Sequence, residues 1–350
     1  MGPLGHRSRV MAAFSRTRGG RLALILAAGL VMVVALAATG SLTGCAQSTP
    51  TADSTDRPSQ AVSSSPYGAV AQATAKVFAR SVHPRAADTW GEIRAREFVY
   101  QTFQQYGYTP LLQEFIATSG RRRVHSANII AVKEGKSAEQ LVIGAHYDAL
   151  AGDGYTDNAA GIGLLIELAA RLKARETPYT LVFVAFGAKE RGQLGSRHFV
   201  SAMSGAERRA TLGMIDLDGI AGGDESYVFS RSGSATWLRD DVLAAAQDMD
   251  IPLEETPARR DTPAGTADLV SDDVVFAAAG VPTATIMASN WAAGRRDGST
   301  QTVAHRRIWD TPRDTVSFVE KNDPGRVREQ LSDLSRLLEV ILTSELEKHP

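Results

Sequence analysis

Residues 140–148 read QLVIGAHYD and residues 180–190 read TLVFVAFGAKE. Each is a short apolar run that turns polar at its C-terminal end. Runs of this length, rich in Val, Ile and Phe and without alternation, suit strands buried on both faces. Between them, Asn158–Arg175 sets Ile162, Leu165, Ala169 and Leu172 on one stripe at helical spacing. Further strands are predicted at Leu111–Ala117, Asn128–Val132, Leu212–Leu217, Tyr227–Ser230 and Thr283–Met287. Further helices are predicted at Val70–Val82, Trp90–Tyr106, Thr236–Gln247, Asp273–Ala279 and Pro324–Leu346. Strands alternating with helices predict an α/β fold, a three-layer sandwich whose mixed, mostly parallel central sheet is flanked by helices. Nothing from Tyr67 to Pro350 reads as a linker, so 67–350 is expected to be one domain. Its main mobile surface loop is expected at Asp250–Asp272, which is dense in charge, Pro, Thr and Gly.

The N-terminus has another character. Arg7, Arg9, Arg16, Arg18 and Arg21 precede an uncharged apolar stretch from Leu22 to about Thr43, the layout of an export signal. The stretch is nearly long enough to span a bilayer, but it ends in Leu42-Thr43-Gly44-Cys45, which resembles the bacterial lipobox. Cys45 is the only cysteine, so no disulfide forms within one chain, and lipidation would consume its sulfur. Residues 1–44 therefore read as a lipoprotein signal peptide and Cys45 as the lipidation site. Residues 45–66, rich in Ser, Thr and Pro, read as a flexible tether to the extracytoplasmic face of a cell membrane. The remaining composition is that of an ordinary globular protein, with 43% apolar and 22% charged residues. A formal net charge of −1 gives no electrostatic reason to expect a nucleic-acid partner.

Candidate chemistry sits just beyond the apolar runs, where open α/β sheets bind ligands. Strand 140–144 leads into His146 and Asp148, strand 180–186 into Lys189 and Glu190, and strand 212–217 into Asp218. Asp157 stands at the start of the 158–175 helix, where the helix dipole favours a carboxylate. Asp157 alone reads as an N-cap, and His146 alone as a core histidine. Together, carboxylates converging on one sheet edge repel unless a cation neutralises them, and a divalent ion is the simplest candidate.

Gly144-Ala-His-Tyr-Asp148 followed by Asp157-Asn-Ala-Ala-Gly161 resembles the first metal-binding block of the co-catalytic zinc aminopeptidases, metallopeptidase family 28. Residues 187–196, GAKERGQLGS, resemble its second block, and Ile215–Asp218 its third. Ser271-Asp-Asp with Phe276 and Ala279-Gly-Val-Pro282 resembles the fourth, and Trp309–Thr315, WDTPRDT, the last. The resemblance implies two metals about 3.5–4 Å apart. By position, His146, Asp157 and Asp218 would hold the first, and Asp157, Glu190 and Asp310 the second. Asp148 would orient His146. Peptide or protein N-termini would be the substrates.

Three positions depart from the family pattern. Lys189 replaces the Glu that acts as general base, Asp310 replaces a ligand His, and Asp273 replaces a more common His that reads as peripheral. Lysine at its reference pKa is protonated and cannot accept a proton, although burial and divalent ions would depress that pKa. An all-oxygen second site shifts preference from Zn²⁺ toward Mn²⁺ or Mg²⁺. The resemblance thus implies a zinc-dependent aminopeptidase. The alternative is a catalytically degenerate relative that binds peptide or a protein partner. A cyclase-type acyltransferase, as in the related glutaminyl cyclases, ranks below both.

Overall fold

Eight strands form one mixed sheet in the computed structural model, which describes residues 57–346. In chain order they are β1 (Leu111–Ser119), β2 (Arg122–Lys133), β3 (Ser137–His146), β4 (Tyr179–Phe186), β5 (Thr211–Leu217), β6 (Glu225–Phe229), β7 (Glu254–Glu255) and β8 (Thr283–Ser289). Across the sheet the order is β1-β2-β4-β3-β5-β8-β6-β7. The middle strands β4, β3, β5 and β8 run parallel. Antiparallel pairings attach β1 and β2 on one side and β6 on the other. Every residue of β4 is buried, which explains its unbroken apolar run. The fold class is thus the mixed, mostly parallel α/β sandwich. The signal peptide, Cys45 and the tether up to residue 56 lie outside the described residues. Among the described residues, no helix is long and apolar enough to cross a membrane.

The helix Ala160–Leu172 is buried along its whole length between the sheet and the helices Ala69–Ser81 and Arg326–Thr343. A Cβ on Gly163 would lie 2.2 Å from the Ala71 carbonyl oxygen, so only glycine lets these backbones approach. Glu167 is buried in the same contact. It accepts hydrogen bonds from Gly68 N (2.8 Å), Ala71 N (2.7 Å), Ser335 Oγ (2.6 Å) and Arg171 Nε (2.8 Å). Two of these donors belong to the start of the helix Ala69–Ser81, whose cap residue Gly68 has no side chain to serve them.

Three local expectations are corrected. The described chain is already helical at Arg57–Ser63, ahead of Tyr67. Val62 and Ser59 are buried there, and this helix packs on Ala160–Leu172, so residues 57–66 are part of the fold rather than of a tether. Asp250–Asp272 is more than a surface loop. It supplies β7, which pairs with β6, and it buries Ile251 and Leu253 in the main core. The helix expected from Asn158 begins at Ala160, because Asn158 is held elsewhere. Its Nδ2 donates to Leu217 O (2.6 Å), and its Oδ1 accepts from Gly219 N (3.3 Å). Asp157 (φ −127°, ψ 87°) and Asn158 (φ −141°, ψ 38°) are therefore non-helical, and Asp157 is not an N-cap.

Candidate metal centre

The parallel strands β3, β4 and β5 deliver their last residues to one edge of the sheet. His146 ends β3, and its Nε2 lies 3.0 Å from Asp157 Oδ1 and 3.2 Å from Asp218 Oδ1. Beyond β4, Ala188 adopts φ 55°, a left-handed conformation uncommon without glycine, and this turn returns Lys189 and Glu190 toward the strand ends. Asp310, also at positive φ (57°), comes from the loop before the helix Val316–Asn322. The five candidate ligands fall into two groups of three that share Asp157: His146, Asp157 and Asp218, then Asp157, Glu190 and Asp310. Within each group the ligand atoms lie within 4.8 Å of one another. Asp157, Glu190, Asp218 and Asp310 line a cleft of about 350 Å³ whose apolar walls include Leu269, Val270, Met287 and Trp309.

The first group fits a divalent ion. The imidazole places Nδ1 3.1 Å from the Asp148 carbonyl oxygen, a bond in which Nδ1–H donates. Nε2 then directs a lone pair toward two carboxylates, an arrangement that calls for a cation between them. Asp157 Oδ1 is buried and without a hydrogen bond. Protonation is the other way to meet this demand. Burial and the Lys189 charge oppose it, but Asp218, Asp148 and Asp157 outweigh them and hold the His146 pKa well above its usual value. The second group fits less well, because basic side chains already engage two of its three ligands. Nζ of Lys189 donates to Glu190 Oε1 at 2.9 Å and lies 3.1 Å from Asp218 Oδ2. Nη2 of Arg307 donates to Asp310 Oδ2 at 2.6 Å. Burial lowers the Lys189 pKa, yet Asp218, Asp157 and Glu190 raise it further, so the lysine stays an ammonium. Burial lifts Glu190 to about 7, with Lys189 opposing and Asp157 assisting.

Asp148 lies against His146 and also holds the next turn. Its carboxylate accepts Lys189 N (3.0 Å) and Glu190 N (3.1 Å) and stands 3.6 Å from His146 Nδ1, while its carbonyl orients the imidazole. Several residues without a sequence-based role complete the surroundings. Asp314 accepts Thr156 N (2.8 Å) and Asp157 N (3.0 Å), and burial raises its pKa to about 7. Arg85, fully buried, donates to the carbonyls of Tyr147 (2.8 Å), Gly154 (2.7 Å) and Asp153, so it clamps the loop between His146 and Asp157. Ser271 Oγ lies 2.6 Å from both Asp216 Oδ2 and Asp218 Oδ2. Asp216 lies two residues before Asp218 on β5, and that period of two was a readable sign that they share a face. Nor is Asp273 peripheral. It is fully buried, pairs with Arg231, and donates its backbone N–H to Asp216.

The family model for peptidase family M28 matches residues 128–335, which contain all five candidate ligands. The chain belongs to peptidase family M28. Across 301 residues it is 31% identical to the alkaline phosphatase isozyme conversion protein of Escherichia coli (strain K12), covering 75% of this chain and 86% of that protein. It is 28% identical over 204 residues to aminopeptidase YwaD of Bacillus subtilis (strain 168), covering 56% of this chain and 41% of that protein. Among solved structures, the zinc aminopeptidase BSAP from Bacillus subtilis superposes with a TM-score of 0.64 at 17% identity, over 81% of this chain and 97% of that one. At that identity the superposition speaks for the fold. As an M28 member, the chain is an aminopeptidase-like hydrolase by family.

Proposed function

We propose that this M28 protein is a lipid-anchored, extracytoplasmic, zinc-dependent aminopeptidase that removes N-terminal residues from peptides or proteins. One observation carries the reading: two ligand groups sharing Asp157 open into an apolar-walled cleft at the ends of parallel strands. His146, Asp157 and Asp218 would hold the ion. When bound, it supplies Lewis acidity toward a carbonyl and an acidified water. The remaining roles belong to the chain. Asp157 and Glu190 offer negative charge to the free ammonium of a substrate N-terminus, while Leu269, Val270, Met287 and Trp309 receive an apolar first side chain. Asp148 positions both His146 and the Lys189–Glu190 turn. Lys189 donates a hydrogen bond to Glu190 and lies against Asp218. The lipobox at Cys45 supports the anchor.

The test is release of the N-terminal residue from a free peptide and from its N-acetylated form, with zinc present. Cleavage of the free peptide only, abolished together with metal binding by Asp157→Ala, is expected. Equal cleavage of both forms would overturn the exopeptidase reading. The ion-paired Lys189 also favours a second reading, a degenerate relative that holds peptides without cutting them. Saturable peptide binding by calorimetry with no turnover would select it.

A further inference from the structure

Lys189 and Arg307 reach one ligand each of the second group, and in both cases the basic atom lies at hydrogen-bond distance from one of its two carboxylate oxygens, Glu190 Oε1 and Asp310 Oδ2. We infer that this centre holds a single divalent ion, on His146, Asp157 and Asp218, and that Lys189 and Arg307 supply at Glu190 and Asp310 the positive charge a second ion would bring. The inference rests on the metal-dependent reading above and adds to it the number of ions and what replaces the missing one.

Charge balance supports the assignment. Asp157, Glu190, Asp218 and Asp310 present four carboxylates. Two basic side chains and one divalent ion neutralise them, and a second divalent ion would leave these groups with two surplus positive charges, next to Lys189, which is buried, and Arg307, which is exposed. Geometry separates the two groups in the same sense. In the first, Asp218 turns Oδ1 toward His146 and meets Lys189 and Ser271 with Oδ2, so the ammonium leaves the ion-facing oxygen free. In the second, Lys189 meets Glu190 through Oε1 at 2.9 Å, and this lysine is buried, so its ammonium is held between Glu190 and Asp218. Arg307 also donates through Nε to the Trp309 carbonyl (3.1 Å), which fixes the guanidinium beside Asp310. An ion entering there would have to displace both bonds and then share the space with both cations. Lys189 and Arg307 are thus positioning residues. They hold Glu190 and Asp310 in place of a ligated metal.

The experiment measures metal content. The full-length chain is stripped of metal, equilibrated with Zn²⁺ or separately Mn²⁺ at saturating free ion, and analysed by elemental analysis and calorimetry. One ion per chain is expected for the wild type and two for K189M/R307M. E190Q and D310N should keep the wild-type ion with an affinity changed less than about tenfold, whereas H146N and D218N should lose it. Two ions in the wild type, or loss of the ion in E190Q, would overturn the inference and leave the aminopeptidase reading standing. A folded K189M/R307M that still takes one ion would also overturn it. No ion in any variant would overturn both readings. If K189M/R307M fails to fold, the E190Q and H146N contrast in the otherwise unchanged chain decides alone.

Discussion

Reversing the charge at position 189 tests the electrostatic account most directly. Nζ of Lys189 lies 2.9 Å from Glu190 Oε1 and 3.1 Å from Asp218 Oδ2. With an effective dielectric constant of about 20, each contact attracts by about 5 kcal/mol, set against several kcal/mol for burying each ion. Lys189→Glu converts both attractions into repulsions. The metal-free variant should therefore lose several kcal/mol, or about 5–10 °C in Tm at about 2 °C per kcal/mol for a domain of this size. A divalent ion should recover much of the loss, since a hundredfold excess over Kd contributes about 2.7 kcal/mol per site. Differential scanning fluorimetry with chelator and then with graded zinc reads both effects. Zinc should raise Tm more in the variant than in the wild type. The new carboxylate is also a potential base, so where zinc fills the site, turnover should rise by about 10²–10⁴. An unchanged metal-free Tm would refute the reasoning, because Lys189 would then owe nothing to Glu190 and Asp218.

The other expectations concern residues that are not ligands of the ion. Cys45→Ala should abolish fatty-acid labelling and release the protein from the membrane fraction; wild-type protein without lipid would refute the lipobox reading. Glu92 is buried, accepts from Asp88 N (2.6 Å) and Ser126 Oγ, and has its pKa raised by burial from 4.5 to about 7. Its folded pKa exceeds its unfolded one, so its stability contribution is full below about pH 4.5 and is lost as pH rises through about 7. Urea denaturation at about pH 5 and about pH 8 should show wild type losing about 3 kcal/mol relative to Glu92→Gln; parallel profiles would count against a proton on Glu92. Glu167→Ala leaves Arg171 and two helix-start amides without their buried carboxylate, and should cost about 3–5 kcal/mol by the same method. A change under about 1 kcal/mol would show that water or rearrangement replaces the carboxylate.

What the sequence made legible follows from which forces are local. The runs 140–144 and 180–186 announced central strands because a strand covered on both faces must be apolar throughout. Their polar ends then pointed to the sheet edge where His146, Glu190 and Asp218 meet Asp157. Shape at the turns was less accessible. The positive φ of Ala188 and Asp310 is imposed by tertiary contacts on residues that give no sign of it, unlike glycine. Asn158 looked helical because its own pattern is helical, whereas its side chain bonds to Leu217 at the end of β5 and to Gly219 just beyond it. Arg85 was invisible for a similar reason, since its partners are backbone carbonyls and those leave no mark on spacing. Asp250–Asp272 was mistaken for a surface loop because its buried residues are scattered among charges, and β7 spans only Glu254–Glu255.

Arg85, Asp148 and Asp314 spend their polar atoms on the main chain of the turns that carry the ligands. Such turns keep their shape through the protein's own bonds. A zinc finger, by contrast, acquires its fold only when the ion arrives. Here maturation separates into two independent steps: the chain can complete folding first, and an ion can be loaded, removed or exchanged for another element later. Loading should then proceed as simple second-order association, its rate set by dehydration of the incoming ion, with no lag for refolding and no change in far-ultraviolet circular dichroism.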